Sequence, residues 1–462
     1  MKHLLLPALL LFALSVAVPC HAQWLTFTPN IPDTVGIATT HVVDQNIAWA
    51  GANQYVADNA AGYNPAFSPR AYVFRTTNGG QSWSADTVPL GAAPFIANIC
   101  GIDGQTAWLT GYDFAILYMQ LLQTTDGGKT WTEKLLDGFK IPGWSYINNV
   151  YFWDAQNGIV CGDPAPLDPD TVPFYEIYRT SDGGQNWTRV PKSALAAPLP
   201  GDFGLGNCYA AVGDHFWFGT VQGMLYHSPD RGATWQTYTT GMPSTGILSF
   251  ADSLNGICGN NLGGRESIVW RTVDGGKTWK DVSPAGDYNL SSAAIIPGSR
   301  YFLVTTMDSI ADGPFRTLIS KDGGNTWQQI AEGENPGWAY FVSPTAGYAG
   351  DWQTTVSKTR LYRYNGDPLS GVFSGNTLDA AVTVSPNPAN DVVQINLSRY
   401  AESTDWLILL NDAAGRLAGQ RRVQGVDAWK ERFDLQSLPA GVYTLTISNS
   451  KGSLSRQIQI VH

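Results

Sequence analysis

Gln123-Thr-Thr-Asp-Gly-Gly-Lys-Thr-Trp131 is the stretch on which the fold turns. The pattern returns at Arg75-Thr-Thr-Asn-Gly-Gly-Gln-Ser-Trp83, Arg179-Thr-Ser-Asp-Gly-Gly-Gln-Asn-Trp187, His227-Ser-Pro-Asp-Arg-Gly-Ala-Thr-Trp235, Arg271-Thr-Val-Asp-Gly-Gly-Lys-Thr-Trp279 and Ile319-Ser-Lys-Asp-Gly-Gly-Asn-Thr-Trp327. The tryptophans are 48, 56, 48, 44 and 48 residues apart, a spacing that marks a repeat architecture. Each copy has the chemistry of a hairpin turn. The Asp carboxylate accepts from the turn's own N–H groups, the glycines supply positive φ, and the Ser or Thr hydroxyl bonds back across the turn. The capping positions Asn78, Asp126, Asp182, Asp230, Asp274 and Asp322, with Trp83, Trp131, Trp187, Trp235, Trp279 and Trp327, therefore read as structural.

Between the turns an apolar strand, a polar turn and a Gly-rich strand recur, as in Asn149-Val-Tyr-Phe-Trp-Asp-Ala-Gln-Asn-Gly-Ile-Val-Cys-Gly-Asp163. A third strand leads into each Asp turn and a fourth starts at its Trp. Four short strands per unit is a propeller blade. Six blades carry the turn. A seventh, beginning near Trp338, has only three strands: Tyr340-Phe-Val342, Gly347-Tyr-Ala-Gly-Asp351 and Leu361-Tyr-Arg-Tyr364. Trp24-Leu-Thr-Phe-Thr-Pro29 resembles the missing fourth strand, so the expected fold is all-β, a seven-bladed propeller closed by its N-terminal strand.

The Asp turn is similar to the Asp-box, or BNR repeat, of sialidases, sortilin-like receptors and xyloglucan-cleaving hydrolases. With the Gly-rich second strand, the chain most resembles photosystem II assembly-factor-like propellers over residues 24 to about 365. The resemblance implies the propeller fold and says little about function.

Composition agrees. Of 462 residues, 14% are charged, with 49 Gly, 17 Trp and 20 Tyr, as in a turn-rich, aromatic-packed β protein and unlike a coiled coil or helical solenoid. Residues 23–381 hold 19 Lys+Arg against 31 Asp+Glu, a formal charge of −12, with no basic cluster for phosphates, which excludes nucleic-acid partners. The chain opens on Met1-Lys2-His3, an apolar run from Leu4 to Val18, and Pro19-Cys20-His21-Ala22, which reads as a signal peptide over residues 1–22 cut after Ala22. No later run is apolar enough to span a membrane. Cys100, Cys161, Cys208 and Cys258 lie far apart in apolar strands and read as buried thiols, their disulfide status open.

After a propeller over residues 23–366 and a linker over 367–381, residues 382–462 form a second unit of period-two strands broken by Gly, Pro and Asn turns, expected as a small antiparallel β-sandwich. Its ordered motifs are Val384-Ser-Pro-Asn-Pro-Ala-Asn-Asp391, Asn411-Asp-Ala-Ala-Gly-Arg416 and Leu438-Pro-Ala-Gly-Val-Tyr-Thr-Leu445. They are similar to the C-terminal sorting domain of type IX secretion. That resemblance implies the type IX machinery as a partner and a protein released from the cell or attached to its surface.

In a propeller the loops joining strands two and three, and those between blades, share the face opposite the Asp turns. The longest, 53–71 and 163–175, carry Tyr55, Asp58, Tyr63, Phe67, Asp163, Asp168, Asp170 and Tyr175; Trp144 and Tyr146 lie nearby, and Asp351 and Trp352 end the second strand of the seventh blade. Of these, Trp144, Tyr146, Asp163, Asp168, Asp170, Tyr175, Asp351 and Trp352 are the candidate ligand residues, since aromatics with carboxylates suit sugars or basic peptides. Asp163 and Asp351 are the weak catalytic candidates, on the expectation that they meet across the channel mouth. No sialidase Phe-Arg-Ile-Pro segment or Gly-x-Ser-x-Gly elbow is present, and His41, His215, His227 and His462 lack metal-ligand spacing, so no cofactor or metal is expected. The expected role is binding of a protein or glycan outside the cell. A glycoside hydrolase or lyase, or a structural surface component, stands as the alternative.

Overall fold

The computed structural model describes residues 24–31, 35–54, 57–58, 62–63, 70–141, 145–165, 173–260, 268–286, 288–297, 299–308, 315–333, 336–351, 359–364, 382–397, 404–412, 416–426, 429–449 and 452–461. The signal-peptide region and the linker lie outside them. Seven four-stranded antiparallel sheets follow one another through residues 24–364, with inner strands Val35–Val42, Pro94–Gly101, Ile147–Phe152, Gly204–Val212, Ile247–Phe250, Tyr288–Ile295 and Pro336–Ser343, here numbered blades one to seven. Each inner strand contacts the next, and the seventh contacts the first, which makes a closed ring. The seventh blade takes its outer strand from the N-terminus: Trp24–Phe27 pairs antiparallel with Leu361–Tyr364, Trp24 opposite Tyr364. This strand covers an edge that would otherwise be open.

Every Asp turn is built alike. In the second blade Thr124 Oγ1 accepts from Gly128 N at 3.0 Å, while Asp126 accepts from Thr130 N at 2.9 Å and Thr130 Oγ1 at 2.6 Å. Those bonds to its ionised form hold the Asp126 carboxyl down at about 2. Asn78 does the same work in the first blade, accepting from Ser82 N at 3.0 Å. In the fourth blade Arg231 stands at φ 56° where the other turns use glycine, and its guanidinium reaches Asp154 and Asp214. Trp131, Trp235 and Trp279 close their turns by donating to the carbonyls of Gly128, Gly232 and Gly276.

The Gly-rich second strands have a packing reason. A Cβ on Gly51 would lie 2.7 Å from Ile96 of the next inner strand, and one on Gly350 would lie 2.3 Å from Ile37 across the closure. Glycine there lets neighbouring blades approach. Arg75 and Arg271 tie blades together at the Asp-turn end by donating to the carbonyls of Gly104 and Gly323. The four described cysteines are buried free thiols.

Residues 382–460 form a three-stranded sheet (Val382–Ser385, Val392–Leu397, Trp429–Asp434) and a four-stranded sheet (Leu417–Val426, Thr404–Asn411, Gly441–Asn449, Gly452–Ile460). Their inward side chains, among them Val393, Ile395, Phe433, Ile408, Leu410 and Leu445, make one shared core, as expected of a sandwich. No described helix is long and apolar enough to cross a membrane.

Candidate binding face

The face opposite the Asp turns is assembled from connections between antiparallel strands. On it, at the junction of blades three and four, Asp163 is the residue skipped at the register shift between Gly162 and Pro164 in the second strand Gly158–Ala165. Its backbone is clamped: Asp163 N donates to Tyr146 O at 2.9 Å, and Ser145 Oγ donates to Asp163 O at 2.7 Å. Its carboxylate bridges two blades, Oδ1 accepting from Asn148 Nδ2 of its own blade at 2.5 Å and from Gly204 N of the next at 2.9 Å. Burial pushes the Asp163 carboxyl up to about 7, the two hydrogen bonds oppose the rise, and nearby Asp202 adds to it.

Gly204 opens an irregular stretch. It pairs with Thr220, but the ladder resumes only at Tyr209 opposite Phe218, so residues 205–208 bulge out of register. A Cβ on Gly204 would lie 2.7 Å from Asn148 Nδ2, and one on Gly206 would lie 3.8 Å from the Tyr112 hydroxyl. Tyr112 meets the Tyr146 ring edge-on at 5.4 Å and stacks on Phe95 at 5.3 Å. Asp202, itself buried, is occupied by Gln222 N and Tyr175 and held upward by burial.

The other sequence-selected residues divide. Trp144, Asp168, Asp170 and Trp352 lie outside the described residues, as do Tyr55 and Phe67, while Asp58 and Tyr63 fall in the short ribbon Ala57–Asp58/Gly62–Tyr63. Tyr175 points inward: it is 3% exposed and packs edge-on against Phe218 at 5.1 Å and Tyr226 at 4.9 Å, a core residue between blades three and four. Asp351 is 0% exposed and pinned within its own blade, Oδ2 accepting from Arg360 Nε at 2.8 Å and Oδ1 from the Tyr362 hydroxyl. Asp163 and Asp351 belong to blades three and seven, and the carboxylate hydrogen bonds of each run to different partners: Asn148 and Gly204 for the one, Arg360 and Tyr362 for the other.

The channel holds what sequence reading missed. Asn207, at φ 60°, crosses from the fourth blade, its Oδ1 accepting from Thr39 Oγ1 at 3.1 Å and Asn98 Nδ2 at 3.0 Å. A cavity of about 70 Å³ beside it is lined by Tyr209, Ser249, Ser292, Trp338 and Tyr340. Deeper, His41 sits edge-on to Tyr151 at 6.2 Å and beside Tyr340 at 5.7 Å. Burial holds the His41 imidazole down at about 4 and the Cys100 thiol up at about 12. His41 Nδ1 accepts from Gly101 N at 3.1 Å, leaving Nε2 as the protonated nitrogen 3.8 Å from Cys100 Sγ. A neutral imidazole facing a protonated thiol is packing, with no activated nucleophile. The signal for the bulge was present in Gly204-Leu-Gly-Asn207, two glycines and an asparagine inside a strand. Among the described residues, no group of three or more His, Cys, Asp or Glu is placed to hold a metal.

The geometry defines a class first: an Asp-box β-propeller whose distinctive chemistry sits at blades two to four of the loop face. Residues 118–247, which span most of those blades, match the model of photosynthesis system II assembly factor YCF48, and residues 383–461 match that of the secretion system C-terminal sorting domain. The chain thus carries a YCF48-like propeller region and the type IX sorting domain. It is 29% identical to photosystem II stability/assembly factor HCF136 of Arabidopsis thaliana over 183 residues, 39% of this chain and 40% of that one. It is 27% identical to a xyloglucanase of Paenibacillus over 286 residues, 56% of this chain and 23% of that one. The chain therefore spans well under half the length of either relative. Among solved structures, YCF48 bound to D1 peptide superposes with a TM-score of 0.52 at 20% identity, covering 75% of this chain and 98% of that one, a likeness of fold.

Proposed function

We propose that this protein is an exported binding module, delivered by its C-terminal unit, that holds a polypeptide on the loop face of blades two to four. The observation that carries the reading is where apolar side chains stand in solvent. In the propeller, among the described residues, the strongly exposed large apolar side chains are Leu25, Leu254 and Val273 elsewhere, and Ile116, Leu117, Leu135, Ile141, Leu199 and Phe203 in successive connections of this face. Isolated exposed apolar residues are ordinary; a concentration of them in neighbouring loops marks an interaction surface. The relative solved with a bound peptide lends this choice of ligand further support.

A second reading, a glycoside hydrolase, has one observation in its favour: Asp163 titrates near neutrality, as a general acid must. Such an enzyme needs a second working carboxyl. Asp202 is the nearby acid, and its oxygens are taken by the fold. The test is a polysaccharide-hydrolysis and glycan-array screen of the full chain beside Asp163→Asn. No turnover on any polysaccharide is expected, and turnover lost in the variant would replace binding by catalysis.

A further inference from the structure

We infer that the corner formed by Asp163, Tyr112 and Tyr146 receives a basic side chain of the polypeptide partner. This rests on the polypeptide reading above and names the residue type at its anchor point.

The argument begins with how the ring treats its other buried acids. Glu176 has Arg189 and Asp351 has Arg360, while Asp113 and Asp202, without a cation, have hydrogen-bond donors on both carboxylate oxygens. Among the described residues Asp163 has no cation, and both of its carboxylate hydrogen bonds fall on Oδ1, leaving Oδ2 without a described partner. A half-buried carboxylate without a counter-charge is costly, and a cation brought against it recovers that cost. The walls fit the same guest. The half-buried Tyr146 ring, crossed at 88° with the buried Tyr112 behind it, offers the aromatic surface that ammonium and guanidinium groups favour. Opposite them the strand begins Gly204-Leu205-Gly206, whose two glycines let its backbone come close to the Asn148 amide and to Ala97. Phe203, exposed beside this strand, and Leu199 supply contact for the apolar neighbours of the inserted residue. The formal charge of −12 over residues 23–381 draws a cationic segment toward the ring and repels an acidic one.

The pH dependence follows. The groups facing Asp163 are Asp202, also held upward by burial, and the tyrosines Tyr112, Tyr146 and Tyr175, of which Tyr112 and Tyr175 are pushed far above neutrality by burial. Asp163 must be ionised to hold a cation, so affinity rises with pH across neutrality, and binding releases a proton.

The experiment pans a random peptide display library on the full chain at about pH 8 and measures synthetic copies of the enriched peptides by calorimetry. Enriched sequences are expected to carry Lys or Arg beside apolar residues. Affinity should fall by about tenfold or more in Asp163→Asn, on replacing that basic residue by Gln in the peptide, and on lowering the pH to about 6. Asp163→Asn keeps an acceptor for Gly204 N, and the peptide substitution gives the same reading on the unaltered protein. Enriched peptides whose binding depends on Phe203 (lost in Phe203→Asp) but not on Asp163 or on a basic residue would overturn this inference and leave the polypeptide reading standing. No enrichment, with or without glycan binding, would overturn both.

Discussion

Trp24 and Tyr364 are partners across the whole length of the propeller: they face each other in the closing pair of strands, the indole edge-on to the tyrosine ring at 5.4 Å. Trp24 is 1% exposed and also meets Tyr362 at 6.1 Å and Phe341 at 6.3 Å. One side chain thus anchors the strand that completes the ring. Trp24→Ala is expected to cost about 3–5 kcal/mol, read by denaturant melts. A change under about 1 kcal/mol would mean that the ring is closed by its inner strands alone.

The capping chemistry predicts a graded effect at a single turn. Asp274 accepts from Thr278 N at 2.9 Å, Thr278 Oγ1 at 2.6 Å and Thr272 Oγ1 at 2.8 Å. Asp274→Ala removes the acceptors of all three bonds and should cost about 1–2 kcal/mol, while Asp274→Asn should cost less than half of that. The first blade already uses Asn78 in this role. Equal losses in the two variants would show that charge, and not hydrogen bonding, holds the turn.

Asp351 tests the separation of the two weak catalytic candidates. Its removal takes the carboxylate away from Arg360 and the Tyr362 hydroxyl, both bound to it. Because Arg360 is 30% exposed, Asp351→Ala is expected to cost about 2–3 kcal/mol, toward the low side for a broken buried pair. Peptide affinity at blades two to four should be unchanged. A loss of binding with stability intact would return Asp351 to the candidate site.

The raised Asp163 carboxyl makes a signed prediction about stability. A group whose folded value lies above its unfolded one favours folding while protonated and loses that contribution as pH rises through the folded value, here about 7 from an ordinary 3.8. Asp163→Asn should therefore match the parent near pH 4 and exceed it above pH 7 by roughly 2–4 kcal/mol. Chemical melts at several pH values read the difference. A constant difference across that window would mean that Asp163 is solvated in the folded protein.

Much of this architecture was legible because it is repeated and local. An Asp, two glycines and a Trp at fixed spacing specify a turn through bonds spanning four residues, as Gly128 to Thr124 shows, and six copies set the blade period. The three-stranded seventh repeat and the strand-like Trp24–Phe27 needed each other, so even the closure could be deduced by counting. Other features depended on what packs against a residue after the chain has travelled round the ring. Tyr175 and Tyr146 read alike as loop aromatics, yet Tyr175 is driven into the core by Phe218 and Tyr226 of the next blade. Asp163 and Asp351 each follow a glycine in a second strand, yet Arg360, just before the next strand, gives Asp351 a cation, and among the described residues Asp163 has none. By itself the sequence determined the fold, its closure and the sorting unit, because turn chemistry and strand periodicity act over a few residues. Only the tertiary structure decided which carboxylate is left uncompensated and how Asn207 crosses the channel, because desolvation and cross-ring contacts are set by residues far apart in the chain.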